Sequence, residues 1–223
     1  IGAVHVGEKA YYDILNKEFR KYHAMLYELV APEGTRIPKG GGKPGGSPVS
    51  VIQGGMKDIL GLEFQLERVD NTQKNFVHAD MTPEEMSKSM KDRGESVVKM
   101  LFKMMGQGFA QQATGATNDV EVLMALFAED RSVRLKRILA RQVTNMETLE
   151  KALAGKDGSS TLIGERNRKA LSVMEREVTK NKKRRIAIFY GAGHLADFEM
   201  RLEKDFRLKP VGKPRWITAW DLT

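Results

Sequence analysis

The sequence predicts an α/β protein: a mostly parallel central sheet with flanking helices and a helical insertion. Three observations carry that prediction. Ile186-Ala187-Ile188-Phe189 is a short apolar run that rises straight out of the basic segment Lys180–Arg185, as a buried strand leaves a solvated loop. Tyr190-Gly191-Ala192-Gly193-His194 then breaks it, and Leu195, Phe198 and Leu202 recur behind at helical spacing. The chain opens with the same device, since Ile1-Gly2-Ala3-Val4-His5-Val6-Gly7 sets a glycine three residues before a histidine, with a helix expected after it. Two strand–GxxH–helix units thus frame the 223 residues.

The elements between them follow in order. Over Gly7–Tyr22 the spacing of Tyr11, Leu15, Phe19 and Tyr22 predicts an amphipathic helix with one buried face. Met25-Leu26-Tyr27-Glu28-Leu29-Val30 reads as a second buried strand, closed by Pro32 and Gly34. A strand, a helix and a strand in so short a stretch make a βαβ unit with parallel strands. Glu28 and His5 then stand near the carboxyl ends of parallel strands, the edge where open α/β sheets bind ligands. A carboxylate in an apolar strand also demands a partner.

Five glycines and three prolines between Ile37 and Pro48 mark a loop, expected to act as a flap. Val51–Leu62 returns to helical spacing, and Phe64–Val69 and Phe76–Ala79 read as short strands. Thr82-Pro83-Glu84-Glu85 is a helix start: a Thr cap, Pro in the first turn and Glu at the capping-box position. From there to about Val178 the pattern is helical, with breaks at Gly94, Gly106–Gly108, Thr114–Asn118 and Gly155–Ser160. Met100, Met104, Met105, Met124 and Met146 read as adaptable core packing. The expected division is an α/β core over 1–81 and 159–223, with 82–158 as the insertion and a candidate homo-oligomer contact. Ser159–Val178 is a further helix, and Trp216-Ile217-Thr218-Ala219-Trp220 a final strand.

Composition narrows the function. Lys and Arg exceed Asp and Glu by 37 to 29, but cations interleave with acids and only 7% of residues are aromatic, so no specific nucleic-acid binding is expected. No cysteine is present, which removes disulfide and thiolate chemistry but selects no compartment. No apolar run approaches the roughly 20 residues of a membrane span. Ile1 already lies in a strand-like run, so the N-terminus reads as trimmed and localisation is left unassigned.

The candidate chemistry gathers around two of the four histidines. His5 and His194 are expected to project from one sheet edge into one crevice, with Glu28 beside them and Arg166 entering from the helix side. Two imidazoles and a carboxylate suit a catalytic divalent metal that keeps a position open for water. Without a metal, His and Glu activate water by general base catalysis. Both readings stay open, as does the plain one in which each histidine caps a helix or fills a core position. Arg166 lies among Leu162, Ile163 and Leu171, where a guanidinium pairs a carboxylate such as Glu28 or holds an oxyanion. His78 and Asp80 stand at another strand end, facing the crevice. Glu8 follows His5 by three residues and is a further candidate pocket residue, the plain reading being that its charge favours a helix's first turn. His23 begins the second strand, remote from the site. Lys180–Arg185 reads as a solvated loop.

GAVH at Gly2–His5, LYE at Leu26–Glu28, GERN at Gly164–Asn167 and GAGH at Gly191–His194 together resemble the TraB/TIKI family, which is grouped with erythromycin esterase and the haem-binding lipoprotein ChaN. FQL at Phe64–Leu66 and VHAD at Val77–Asp80 are similar to further family positions. The resemblance implies a site of His5, Glu28, Arg166 and His194, with Gln65, Asn167 and Tyr190 as additional pocket residues. It implies hydrolysis of a peptide or a small ester or amide, either metal-dependent and peptidase-like, with His5, Glu28 and His194 as ligands, or esterase-like through His and Glu. Its alternative is a non-catalytic module that binds haem or a protein partner. In that case Tyr11, Tyr12 and Tyr190 are the candidate ligands of the haem iron.

Overall fold

The computed structural model describes residues 1–40, 59–95, 121, 124–141 and 160–223. The glycine-rich stretch beyond Gly40, most of the helical spacing over 51–62, Met100, Met104, Met105, Met146 and most of the 82–158 insertion lie outside them. The fold is α/β. Four parallel strands form the main sheet, in the order β1 (Gly2–Ala3), β6 (Ile186–Gly191), β3 (Ala24–Tyr27) and β5 (Phe76–His78). A separate antiparallel pair joins β2 (Val6–Glu8) to β4 (Leu62–Phe64).

Both faces of the main sheet are covered, and β3 shows why its sequence is apolar without alternation. Met25 and Tyr27 pack on one side against Tyr12, Leu15 and Phe19 of α1 (Lys9–Phe19), with Phe76 and Phe189 between them. Ala24 and Leu26 pack on the other side against Ala170, Leu171 and Phe198. These belong to α4 (Arg166–Thr179) and α5 (Leu195–Lys204). Burying each large side chain here stabilises the fold by about 1.5–3 kcal/mol. The helix spacing of Tyr11, Leu15 and Phe19 is the face that this sheet covers. Tyr22 lies past the helix end and is only partly buried.

The helix α3 (Pro83–Asp92) starts on the expected capping box: Glu85 N–H donates to Thr82 Oγ1 at 3.1 Å, and Thr82 N–H to Glu85 Oε2 at 2.8 Å. α4 is preceded by a π-turn over Thr161–Glu165, in which Glu165 N–H reaches back to Ser160 O at 3.1 Å. Such widened turns recur at functional sites because they re-aim the next residue. Here that residue is Arg166. The described part of the insertion packs back on the core, since Ser132 Oγ donates to Leu60 O at 3.2 Å and Ser89 and Thr161 share a hydroxyl bond of 2.8 Å. Among the described residues no helix is long and apolar enough to cross a membrane.

Four sequence expectations need correction. Met124, read as core packing, is 69% exposed. The opening segment is not one strand running into a helix. It breaks at Val4-His5 and divides between the two sheets, so the two GxxH units differ, and only His194 leads directly into a helix. Phe64–Val69 is not a strand, because β4 ends at Phe64 and a single helical turn, α2 (Gln65–Arg68), follows. Residues 216–220 are irregular. They meet β2 through one main-chain bond, Glu8 N–H to Ala219 O at 2.9 Å, and through Trp220 Nε1–H to Val6 O at 2.7 Å. Pro210, Gly212 and Pro214 deliver the chain there without a ladder to join.

Candidate functional site

Every strand of the main sheet ends at a polar residue of one cluster. His5 lies two residues past β1, Glu28 one past β3 and Asp80 two past β5, while Gly191 closes β6. Parallel strands put these four ends on one edge, which is why residues so far apart in sequence meet. Gly191 sits at the centre of the meeting. A Cβ on it would stand 3.1 Å from His5 Nε2, 3.5 Å from Glu28 Oε2 and 3.8 Å from His194 Cδ2. Its own N–H donates to Glu28 Oε2 at 2.7 Å.

Arg166 binds the two carboxylates. Its Nη2 donates to Glu28 Oε1 and to Asp80 Oδ2, each at 2.6 Å, and its Nε donates to Asp80 Oδ1 at 3.0 Å. Nη1 takes part in none of these bonds. The Asp80 side chain is 0% exposed, so an unpaired charge there would be costly. Burial raises the Glu28 carboxyl, but the Arg166 cation and the Gly191 N–H outweigh it and hold Glu28 below the ordinary carboxylate range. The same carboxylates overcome the burial of Arg166 and raise its pKa further.

His194 is fixed by a chain of bonds that leaves one tautomer. Asp197 can only accept, so the Asn167 amide turns Nδ2 toward its Oδ2 at 2.8 Å, and the same nitrogen donates to His194 O at 3.1 Å. Asn167 Oδ1 then faces His194 Nδ1 at 2.6 Å and must accept its proton. Arg201 Nε holds Asp197 from behind at 2.6 Å. His194 Nε2 is therefore a bare acceptor, 3.7 Å from Glu28 Oε1. Burial lowers the His194 pKa to about 4 against the pull of Glu28, so the ring is neutral at ordinary pH. Tyr190 closes this side, its ring edge-on to His194 at 5.1 Å and its hydroxyl donating to Ala79 O at 2.5 Å.

His5 is held in a parallel way but in the open. Gln65, at the start of α2, places Oε1 3.2 Å from His5 Nδ1, and its main-chain N–H donates to His5 O at 2.9 Å. With the proton on Nδ1, the Nε2 lone pair points toward Gly191 and Glu28. A cleft of about 310 Å³ opens here, lined by His5, Glu28, Gln65 and Arg166 with apolar walls from Val30, Phe64 and Leu66.

Not every expected residue enters that cleft. His194 lies behind Glu28 and is not part of the wall, because Asn167 and Tyr190 draw it into the core. His78 turns away: its Nε2 bonds Leu29 O at 2.6 Å and its Nδ1 accepts from Gly34 N–H at 3.4 Å, spending both ring nitrogens on the loop after β3. Glu8 pairs with Lys136 and accepts from Asp221 N–H at 2.9 Å, away from the cluster. His23 is at the opposite sheet end, beside Arg185. Tyr11, Tyr12 and Tyr190 are buried, with each hydroxyl bonded to main chain: Val4 N, Val4 O and Ala79 O.

The divalent ion implied by the resemblance meets a poor donor set. Among the described residues no three His, Asp or Glu side chains are disposed to hold one ion. Glu28 Oε1 already accepts from Arg166 and Oε2 from Gly191, so an ion there would compete with the guanidinium for the same carboxylate. Comparisons with family models, with curated proteins and with solved structures find no match for this chain.

Proposed function

We propose that this protein is a hydrolase of ester, amide or peptide bonds, working by acid–base chemistry with His5 as the proton acceptor. One observation carries the reading: His5 Nε2 is turned toward Glu28 by Gln65, on the same cleft wall as Arg166. In this reading His5 Nε2 takes a proton from water as the water oxygen bonds to the substrate carbonyl carbon. The carbonyl electron pair moves to its oxygen, which Arg166 Nη1 stabilises. Glu28, a carboxylate beside the ring, favours the imidazolium that forms. Collapse restores the carbonyl and expels the alcohol or amine, which takes the proton back from His5. The apolar walls Val30, Phe64 and Leu66 suit a small apolar acyl group.

The test is hydrolysis of a panel of p-nitrophenyl esters and aminoacyl anilides by chelator-treated protein. Cleavage of short apolar esters is expected, with kcat/KM falling about 10²–10⁴-fold in His5→Ala. No cleavage of any substrate, or full activity in His5→Ala, overturns the proposal. Activity that the chelator abolishes and a divalent ion restores overturns its metal-free form.

A further inference from the structure

The opposite end of the same sheet carries a different kind of charge. Residues 180–185 contain five Lys or Arg and residues 207–216 four, with no Asp or Glu in either. With 37 basic and 29 acidic residues in all, the rest of the chain is one charge negative. The whole basic excess therefore sits in two acid-free segments, against the even interleaving read from the chain as a whole, and the fold brings them together. Arg185 O accepts His23 N–H at 2.7 Å where β3 begins. Leu208, Lys209 and Pro210 share an apolar groove of about 570 Å³ with Tyr22 and Ile186. Arg215 pairs with Glu18 at 3.1 Å, and among the described residues none of the other eight cations has an acidic partner. Lys182 and Arg207 even adopt left-handed backbone, φ 53° and 55°, where glycine or asparagine fits with less strain.

Apolar side chains stand out among these cations. Val211 is 98% exposed and Trp216 90%, with Leu208 beside the groove. The aliphatic Val211 and Leu208 gain nothing against a phosphate backbone in water. They do gain by entering the boundary of a bilayer, where tryptophan concentrates and cations meet anionic headgroups. We infer that this basic end is a peripheral docking surface for an anionic phospholipid membrane, with Val211 and Trp216 inserting and the two basic segments gripping the headgroups.

Co-sedimentation of the whole chain with vesicles tests this. Binding is expected to phosphatidylcholine vesicles containing phosphatidylserine and not to phosphatidylcholine alone. It should weaken sharply as salt rises from about 0.1 M to about 1 M, where the screening length falls to about 3 Å. Each cation near such a surface is worth roughly fivefold, so the triple variant Lys182→Gln, Lys183→Gln, Arg184→Gln should bind about a hundredfold more weakly. Tryptophan emission should shift to the blue on binding, and the shift should vanish in Trp216→Phe, since Trp220 is held by Val6 O. Wild-type protein that ignores anionic vesicles at low salt overturns the proposal, whatever the variants do. So does equal binding to neutral vesicles, or retention by duplex DNA without vesicle binding.

Discussion

The two ends of the parallel sheet hold charge in opposite ways. At the carboxyl ends of β3 and β5, Asp80 is buried and the Glu28 side chain is 11% exposed, and both are bonded to Arg166. At the amino ends of β3 and β6, the cations of 180–185 and 207–216 are largely exposed, and among the described residues one of the nine has an acidic partner. Burial makes the first set interdependent, because removing one member strands the others out of water. Solvent screens the second set, so each of its members acts on the fold almost alone. The first can therefore position groups for chemistry. The second is free to meet something outside the molecule.

The sharpest way to break this contrast is at Arg166. Arg166→Met should leave Asp80 and Glu28 as unpaired buried carboxylates and destabilise the fold by about 3–5 kcal/mol, read by urea denaturation. A loss below about 1 kcal/mol would mean that the two carboxylates are not the charge-coupled pair described here.

The next effect belongs to His194 and to acid. Between pH 6.5 and about 4 the unfolded chain protonates this histidine while the folded one does not. Stability should therefore fall as pH drops through that window, by about 3 kcal/mol, and this histidine's share of the loss should end near pH 4, where the folded ring takes its own proton. Glu28 adds a loss of the same sign only below 4.5, where its unfolded form protonates. Denaturation curves across this range should show the upper slope flattened in His194→Asn. A wild-type chain of constant stability between pH 6.5 and 4.5 would contradict the buried neutral ring.

The smallest effect is expected at the other end. Lys182→Gln and Arg184→Gln should each change stability by less than about 0.5 kcal/mol, because neither has an acidic partner among the described residues. A larger loss in thermal melts would show that these cations help to hold the turn itself.

Local pattern was enough for much of the scaffold. Apolar runs marked Ile186–Phe189, Met25–Val30 and Phe76–Ala79 as strands, of which the fold keeps Ile186–Phe189, Met25–Tyr27 and Phe76–His78; one helical period marked Tyr11, Leu15 and Phe19 as a buried face, and the cap at Thr82 named a helix start. These signals are legible because each is complete within a turn or a strand. Residues 216–220 carried a similar apolar pattern and formed no strand, since a strand exists only where another offers its free edge. The sequence likewise named His5, Glu28, Arg166 and His194, expected them around one crevice and offered Arg166 as a partner for Glu28, but it gave neither their order in depth nor the part of Asp80. Only the fold joined Asp80, 86 residues from Arg166, to the pair that Arg166 makes with Glu28, and set the Gly191 N–H on the second Glu28 oxygen. Only the fold drew His194 behind the cleft and left His5 open to it. Residue type states what a side chain can bond, whereas packing decides which partner reaches it first. At a buried site the first partner excludes the rest.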